Sequence, residues 1–170
     1  MSVTSTAPGN TAVRGRPAAR RLYSDAERAR RDSTRWTLVQ GILAPVQFLV
    51  FLISLGLVLR YLVTGAGYDA ATLSIVIKTV LLITIMITGA IWEKVVFGQY
   101  LFAPAFFWED VFSFGVIALH CLYMVALLTG AMDPMSLMYV ALAAYAAYVV
   151  NAGQFLWKLR MARLDAGARA

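Results

Sequence analysis

Four apolar runs, each long enough to cross a bilayer, constrain this chain more than any other feature: Leu38–Leu59, Leu73–Trp92, Val111–Leu128 and Ser136–Leu156. At ~1.5 Å of rise per helical residue, each matches a hydrocarbon core about 30 Å thick. Lipid offers backbone N–H and C=O groups no partners, so runs of this length take the helical form, which satisfies them internally. The chain is 61% hydrophobic and 14% charged, against about 25% charged residues in a soluble domain. The predicted fold class is all-α. One polytopic domain of four transmembrane helices covers residues 22–164, after a disordered basic tail over 1–21 and before a short tail over 165–170.

Basic residues predict the orientation. Arg14, Arg16, Arg20, Arg21, Arg28, Arg30, Arg31 and Arg35 precede the first run, and Lys158, Arg160, Arg163 and Arg169 follow the fourth. The connections "GAGYDA" and "AMDP" contain neither Lys nor Arg, and only Arg60 lies near them, at the end of the first run. The positive-inside rule therefore places both termini in the cytoplasm. Orientation and anionic headgroups also account for the net charge of +6, so no nucleic-acid partner is implied. The first run starts only after Thr34 at full span length, so no cleaved signal is expected, and "RRLYSD" lacks the apolar region of a twin-arginine signal.

Several functions are excluded. A single cysteine, Cys121, allows no internal disulfide, and a single histidine, His120, allows no multi-His metal cluster. No glycine-rich phosphate loop is present. Local signals are more specific. Ser24 and Glu27 are spaced to cap a short helix reciprocally. Pro45 predicts a kink in the first span, whose Gln40 and Gln47 share a face and need neighbouring helices to satisfy them. Lys78 is read as snorkelling from the outer end of the second span. Val95–Phe107 is uncharged but too short to cross, and Gly98, Ala103, Pro104 and Ala105 break it up. It reads as an interfacial or re-entrant segment on the cytoplasmic side.

Chemistry gathers at that segment. Trp36, Trp92, Trp108 and Trp157 all fall at the same ends of the predicted helices, and six of the nine phenylalanines lie between Phe97 and Phe114. An aromatic belt at the headgroups explains this, as does a belt that also lines a site for a flat aromatic ligand; belts normally occupy both interfaces. Glu93 closes the second span in "IWEK", and Glu109 and Asp110 open the third in "FFWED". A carboxyl group shielded by rings has its charged form disfavoured and suits a general acid, while a wetter one suits a base for water. The structural alternatives are dipole matching by Glu109 and Asp110 and an interfacial Glu93–Lys94 pair. His120 lies ~16 Å deeper than Glu109 by helical rise, on the face shared by Ser113 and Val116. It is read either as bonded to a neighbouring helix, through Asn151, Gln154, Thr84 or Thr88, or as an axial ligand to a macrocycle-bound magnesium.

The stretches "RWTLVQGILAPVQFLVFLISLGLVLRYL", "TGAIWEKVVFGQYLFAPAFFWEDVFS" and "ALAAYAAYVVNAGQFLWKLR" resemble the 3-vinyl bacteriochlorophyllide hydratase family of photosynthetic bacteria, from about Leu22 to Leu164. The resemblance implies a hydro-lyase that adds water to the C3 vinyl group of a (bacterio)chlorophyllide, giving a 3-(1-hydroxyethyl) group in bacteriochlorophyll synthesis. It further implies a multi-pass protein of the bacterial inner or intracytoplasmic photosynthetic membrane. Magnesium enters only as part of the substrate macrocycle, with no cofactor and no protein metal site. A homo-oligomer or contacts with other pigment-biosynthesis enzymes are compatible partners.

For that reaction, Glu109 is expected to protonate the vinyl group and Glu93 or Asp110 to activate water. Trp92, Trp108, Phe106 and Phe107 are expected to stack on the macrocycle, with Lys94 meeting a propionate and His120 facing the magnesium. A non-enzymatic pigment carrier would share the aromatic pocket and histidine. A purely structural membrane protein would bind no pigment.

Overall fold

In a computed structural model, which describes residues 22–167, the chain forms five helices: α1 (Asp25–Ser33), α2 (Arg35–Thr64), α3 (Tyr68–Phe97), α4 (Phe107–Thr129) and α5 (Pro134–Gly167). The tail expected over 1–21, the signal-peptide reading that depends on it, and residues 168–170 lie outside the described residues. Helices α2 to α5 are each long and apolar enough to cross a membrane, and the described residues contain no strand. Each helix outruns its apolar stretch. Span lengths were read from hydropathy, whereas the helices continue into polar residues at both ends.

The starts and stops follow local chemistry. The Ser24 N–H donates to Glu27 Oε2 at 2.7 Å and the Glu27 N–H to Ser24 Oγ at 3.3 Å, so the expected reciprocal cap forms. These bonds hold the Glu27 carboxyl below the usual glutamate range. Thr34 ends α1 and accepts the Trp36 N–H at the start of α2. Asp133 receives the N–H groups of Met135 and Ser136, with Pro134 at the first helical position of α5. Helix α2 runs through Pro45 without interruption. Helix α3 stops at Gly98, whose φ of 85° is a left-handed conformation that costs glycine little.

Two antiparallel hairpins, α2–α3 and α4–α5, make the most extensive contacts, while α2 against α5 and α3 against α4 join them. The α2–α3 register is fixed by polar pairs. Gln40 Nε2 donates to Thr88 Oγ1 at 2.8 Å and Ser54 Oγ bonds Ser74 Oγ at 2.6 Å, equal steps along the two helices. Ser54 Oγ also bonds Tyr145 Oη, tying the first hairpin to α5. Around these bonds pack Phe51, Val58, Ile75, Leu82, Val116 and Met138. Aliphatic side chains such as Leu49, Ile53, Leu73 and Val125 remain on the outer surface, as lipid-facing helices require. With lipid outside, apolar burial does little to hold helices together, and packing with interhelical hydrogen bonds takes over.

Two expectations are corrected. Lys78 does not snorkel: it is fully enclosed, its Nζ 3.7 Å from the centroid of the Tyr148 ring. Helix α3 begins at Tyr68, five residues before the apolar run, so Lys78 sits well inside the bundle. Val95–Phe97, assigned to the segment between spans, belongs to α3, and only residues 98–106 are irregular.

Tyr145→Phe is expected to cost about 1 kcal/mol, the scale of an interhelical hydrogen bond in a bundle. Thermal unfolding in detergent, run as a cycle with Ser54→Ala, would show the two losses to be less than additive; full additivity would mean that the bond does not join the hairpins.

Candidate functional site

The three expected carboxylates are brought together. Glu93 comes from the C-terminal end of α3, and Glu109 and Asp110 from the first turn of α4. All three are enclosed, at 5%, 5% and 4% exposure. Hairpin antiparallelism puts both helix ends at one end of the bundle, and residues 98–106 fold back between them. Phe102 is left-handed at φ 59°, rare for a residue with a side chain. This turns two successive backbone donors toward the acids: the Phe102 N–H reaches Asp110 Oδ2 at 2.7 Å and the Ala103 N–H reaches Glu93 Oε2 at 3.2 Å. Consecutive N–H groups arranged in this way form a concavity suited to anionic oxygen. The cost of the Phe102 backbone, ~1–3 kcal/mol for such a conformation, is set against two bonds to buried acids.

Glu93 and Asp110 lie within side-chain hydrogen-bonding reach of each other. Glu109 has a different partner. The Lys158 ammonium, from α5, donates both to Glu109 Oε2 and to the Ala105 carbonyl oxygen. It also lies 5.0 Å from the centroid of the Phe106 ring. Lys158 was read from sequence only as part of the basic run that sets orientation. Its pairing with Glu109 follows from α5 passing back alongside the start of α4, a relation that charge counting does not reveal. A Glu93–Lys94 pair is not what forms: Lys94 turns away, donating to Gly98 O at 2.8 Å and lying 5.2 Å from the Tyr100 ring centroid.

The expected aromatic slot is divided in two. An inner group packs together at the end of the bundle where the acids lie: Phe106, 4% exposed, contacts Trp92, Phe97, Tyr23 and Phe155. Trp92 Nε1 donates to Thr37 Oγ1 at 2.9 Å, and Thr37 in turn donates to Arg31 O, so the α1–α2 junction holds this group. Arg30 Nε donates to Val96 O at 2.8 Å and closes the end. The outer group, Phe102, Phe107, Trp108 and Phe114, faces the surface, with Phe102 stacked on Phe114 at 5.7 Å or less from its ring neighbours. Trp108 is 65% exposed and Phe107 44%. Trp92 and Phe106 thus pack on the inside at this end of the bundle, Phe106 beside Lys158, while Trp108 and Phe107 stand on the outside of α4.

His120 lies two turns deeper than Ser113 on the buried face of α4. Its Nδ1 is 2.8 Å from the Val116 carbonyl oxygen, and its ring is 6.1 Å from Tyr145. None of the neighbours suggested by sequence bonds it: Asn151 donates to Ser113 Oγ at 2.8 Å and Thr88 bonds Gln40. His120 therefore does not join the carboxyl group. A separate surface groove between α2 and α5 is lined by Phe51, Leu55, Leu142, Tyr145, Ala146 and Val149. It carries no acid and lies away from the carboxyl cluster. No group of three or more His, Cys, Asp or Glu able to hold a metal occurs among the described residues.

The sequence pattern of the family described as 2-vinyl bacteriochlorophyllide hydratase (BCHF) matches residues 23–161. A protein named 2-vinyl bacteriochlorophyllide hydratase from Cereibacter sphaeroides is 78% identical over 152 residues, covering 88% of this chain and 94% of that one. Another of the same name from Rhodobacter capsulatus is 72% identical over 152 residues, covering 89% and 88%. No solved structure matches the chain significantly.

Lys158→Met leaves Glu109 enclosed without its cation and is expected to destabilise the protein by about 2 kcal/mol or more. Adding Glu109→Gln should restore most of the loss in detergent unfolding. No recovery would show that Lys158 acts through packing or the Ala105 carbonyl instead.

Proposed function

The chain belongs to the 2-vinyl bacteriochlorophyllide hydratase family, and we propose that Glu93 and Asp110 carry its acid–base chemistry. The reaction adds water to the vinyl group of a bacteriochlorophyllide, giving a 1-hydroxyethyl substituent in bacteriochlorophyll biosynthesis. The substituent numbered 2 in the family name is the C3 vinyl of the other macrocycle numbering.

The observation that carries the assignment is the facing pair of buried carboxyl groups. A carboxylate only accepts hydrogen bonds, so two that face each other need a proton between them. Lys158 is directed to Glu109, and no cation is described between Glu93 and Asp110. The proton of the pair is therefore the one available for transfer. It passes to the terminal vinyl carbon, and the π electrons form the new C–H bond. Positive charge develops on the carbon next to the ring and spreads into the macrocycle. Water forms the C–O bond at that carbon and returns a proton to the carboxylate pair, which is restored. Glu109 was the acid expected from sequence. Its ion pair with Lys158 suits it better to positioning and to fixed negative charge near the developing cation.

The pigment reaches this pair from the lipid side. Phe102, Phe107, Trp108 and Phe114 offer exposed ring faces beside residues 98–106, and a flat apolar macrocycle is the partner such faces suit. Lys94 and the α1 arginines stand at the same end for a propionate. Both termini lie in the cytoplasm, residues 98–106 lie at the cytoplasmic interface of the inner or photosynthetic membrane, and the substrate brings the only metal. The uneven distribution of Arg and Lys supports this orientation. His120 is too deep for a macrocycle whose vinyl group meets Glu93.

Glu93→Gln and Asp110→Asn are each expected to lower kcat by about 10²–10⁴-fold, the range for loss of acid–base catalysis, with pigment affinity retained. Glu109→Gln should cost less in kcat. The assay supplies vinyl pigment in water bearing heavy oxygen, and product mass is followed. Full turnover by both the Glu93 and Asp110 variants would overturn the assignment, and pigment retention without any mass gain in the wild type would indicate a carrier.

A further inference from the structure

A second set of polar side chains lies enclosed along the bundle axis, away from the carboxyl pair. Gln47 from α2, Lys78 from α3, His120 from α4 and Asn151 from α5 are each at 7% exposure or less. In each, one polar atom has no hydrogen-bond partner among the described residues: Gln47 Nε2, Lys78 Nζ, His120 Nε2 and Asn151 Oδ1. All four spanning helices contribute one. Buried polar groups in folded proteins are almost always satisfied, by protein or by ordered water.

The chemistry of the four atoms selects the ligand. Gln47 Nε2 and Lys78 Nζ are donors. The Val116 carbonyl can only accept, so His120 Nδ1 carries the hydrogen of that bond, and Nε2 is left as the acceptor of the neutral ring. Asn151 Nδ2 donates to Ser113 Oγ, so its Oδ1 is also an acceptor. A carboxylate or carbonyl would serve only the donors, and a cation only the acceptors. Water serves both, and buried water typically makes about three such bonds.

The set also leads to the site. Ser113 is one helical turn from Asp110 on the buried face of α4, and Asn151 bonds it from α5. Farther along the same axis stand His120 and Lys78. Beyond them the hydroxyl chain Ser74–Ser54–Tyr145 continues the polar interior, with the Tyr145 ring beside His120. We infer that the bundle holds an internal file of water, from Lys78 and His120 through Asn151 and Ser113 to Asp110, which supplies the water added to the vinyl group. The inference rests on the hydratase reading for its purpose. A pigment lying across the outer aromatic face shields the carboxyl pair from the interface, and the reaction consumes one water per turnover. A supply from inside the bundle leaves the pigment in place while water arrives.

The test has two arms. Wild-type protein in lipid nanodiscs is exposed to hydroxyl radicals generated from water by X-rays, and oxidised residues are mapped by mass spectrometry. The enclosed Tyr145 and Tyr148 are expected to be oxidised in the same exposure series as the exposed Tyr100. Tyrosines left unmodified would mean a dry interior and overturn the file. In the second arm, Lys78→Met and the double variant Ser113→Ala, Asn151→Leu are expected to lose that oxidation. Their kcat should fall about tenfold with pigment KM unchanged, the signature of an interaction outside pigment binding. A raised pigment KM with kcat intact would make Lys78 a pigment contact and overturn the proposal, as would full kcat in variants whose oxidation is abolished. Absence of hydration by the wild type would count against the hydratase reading alone, since the radical footprint is read without substrate.

Discussion

Enclosing three carboxyl groups, one from α3 and two from α4, is the constraint on which this end of the bundle is built. Unpaired, each would carry a large desolvation cost, and acids placed together repel when ionised. The protein answers with a left-handed Phe102 that aims two backbone N–H groups at Asp110 and Glu93, and with Lys158 on Glu109. The irregular path of residues 98–106 follows from the same need, since a continuous helix there would have no free N–H groups to offer. Even α1 fits this picture: it is tied down through Arg30 to Val96 and through Tyr23 to Phe97 and Phe106, covering the end where the acids lie.

Much of the fold was legible because lipid removes choices. Apolar runs of span length become helices, and short polar connections force neighbours to run antiparallel. The convergence of Glu93 with Glu109 and Asp110 was legible for the same reason. Less visible were relations between helices distant in sequence. Lys158 and Glu109 are 49 residues apart, and nothing local distinguishes Lys158 from the arginines that follow it. Lys78 was misread because hydropathy locates an apolar run, not the helix that contains it. Starting the span at Leu73 put Lys78 near a surface, whereas the helix from Tyr68 carries it into the core. The division of the aromatic cluster was likewise hidden. Phe106 and Phe107 are adjacent in sequence, but α4 begins between them, and they end on opposite sides.

On the proposed mechanism, these placements would divide the labour of the hydratase reaction. The exposed rings would hold an apolar pigment that water would not. The enclosed carboxyl groups would hold the proton that the vinyl group needs, in surroundings that strengthen every electrostatic interaction. The Glu109–Lys158 ion pair would keep the local charge balanced while that proton moves. The arrangement needs no redox chemistry, because hydration changes no electron count overall.

The measurement that bears most directly on this account is the infrared spectrum of the protein in lipid near neutral pH, in ordinary and heavy water. A proton held by Glu93 and Asp110 predicts a carboxylic C=O band that shifts on deuteration. The band should be lost in Glu93→Gln or Asp110→Asn and should persist in Glu109→Gln. A spectrum with no protonated carboxyl band, or a band that only Glu109→Gln removes, would contradict the assignment of the acid to the facing pair.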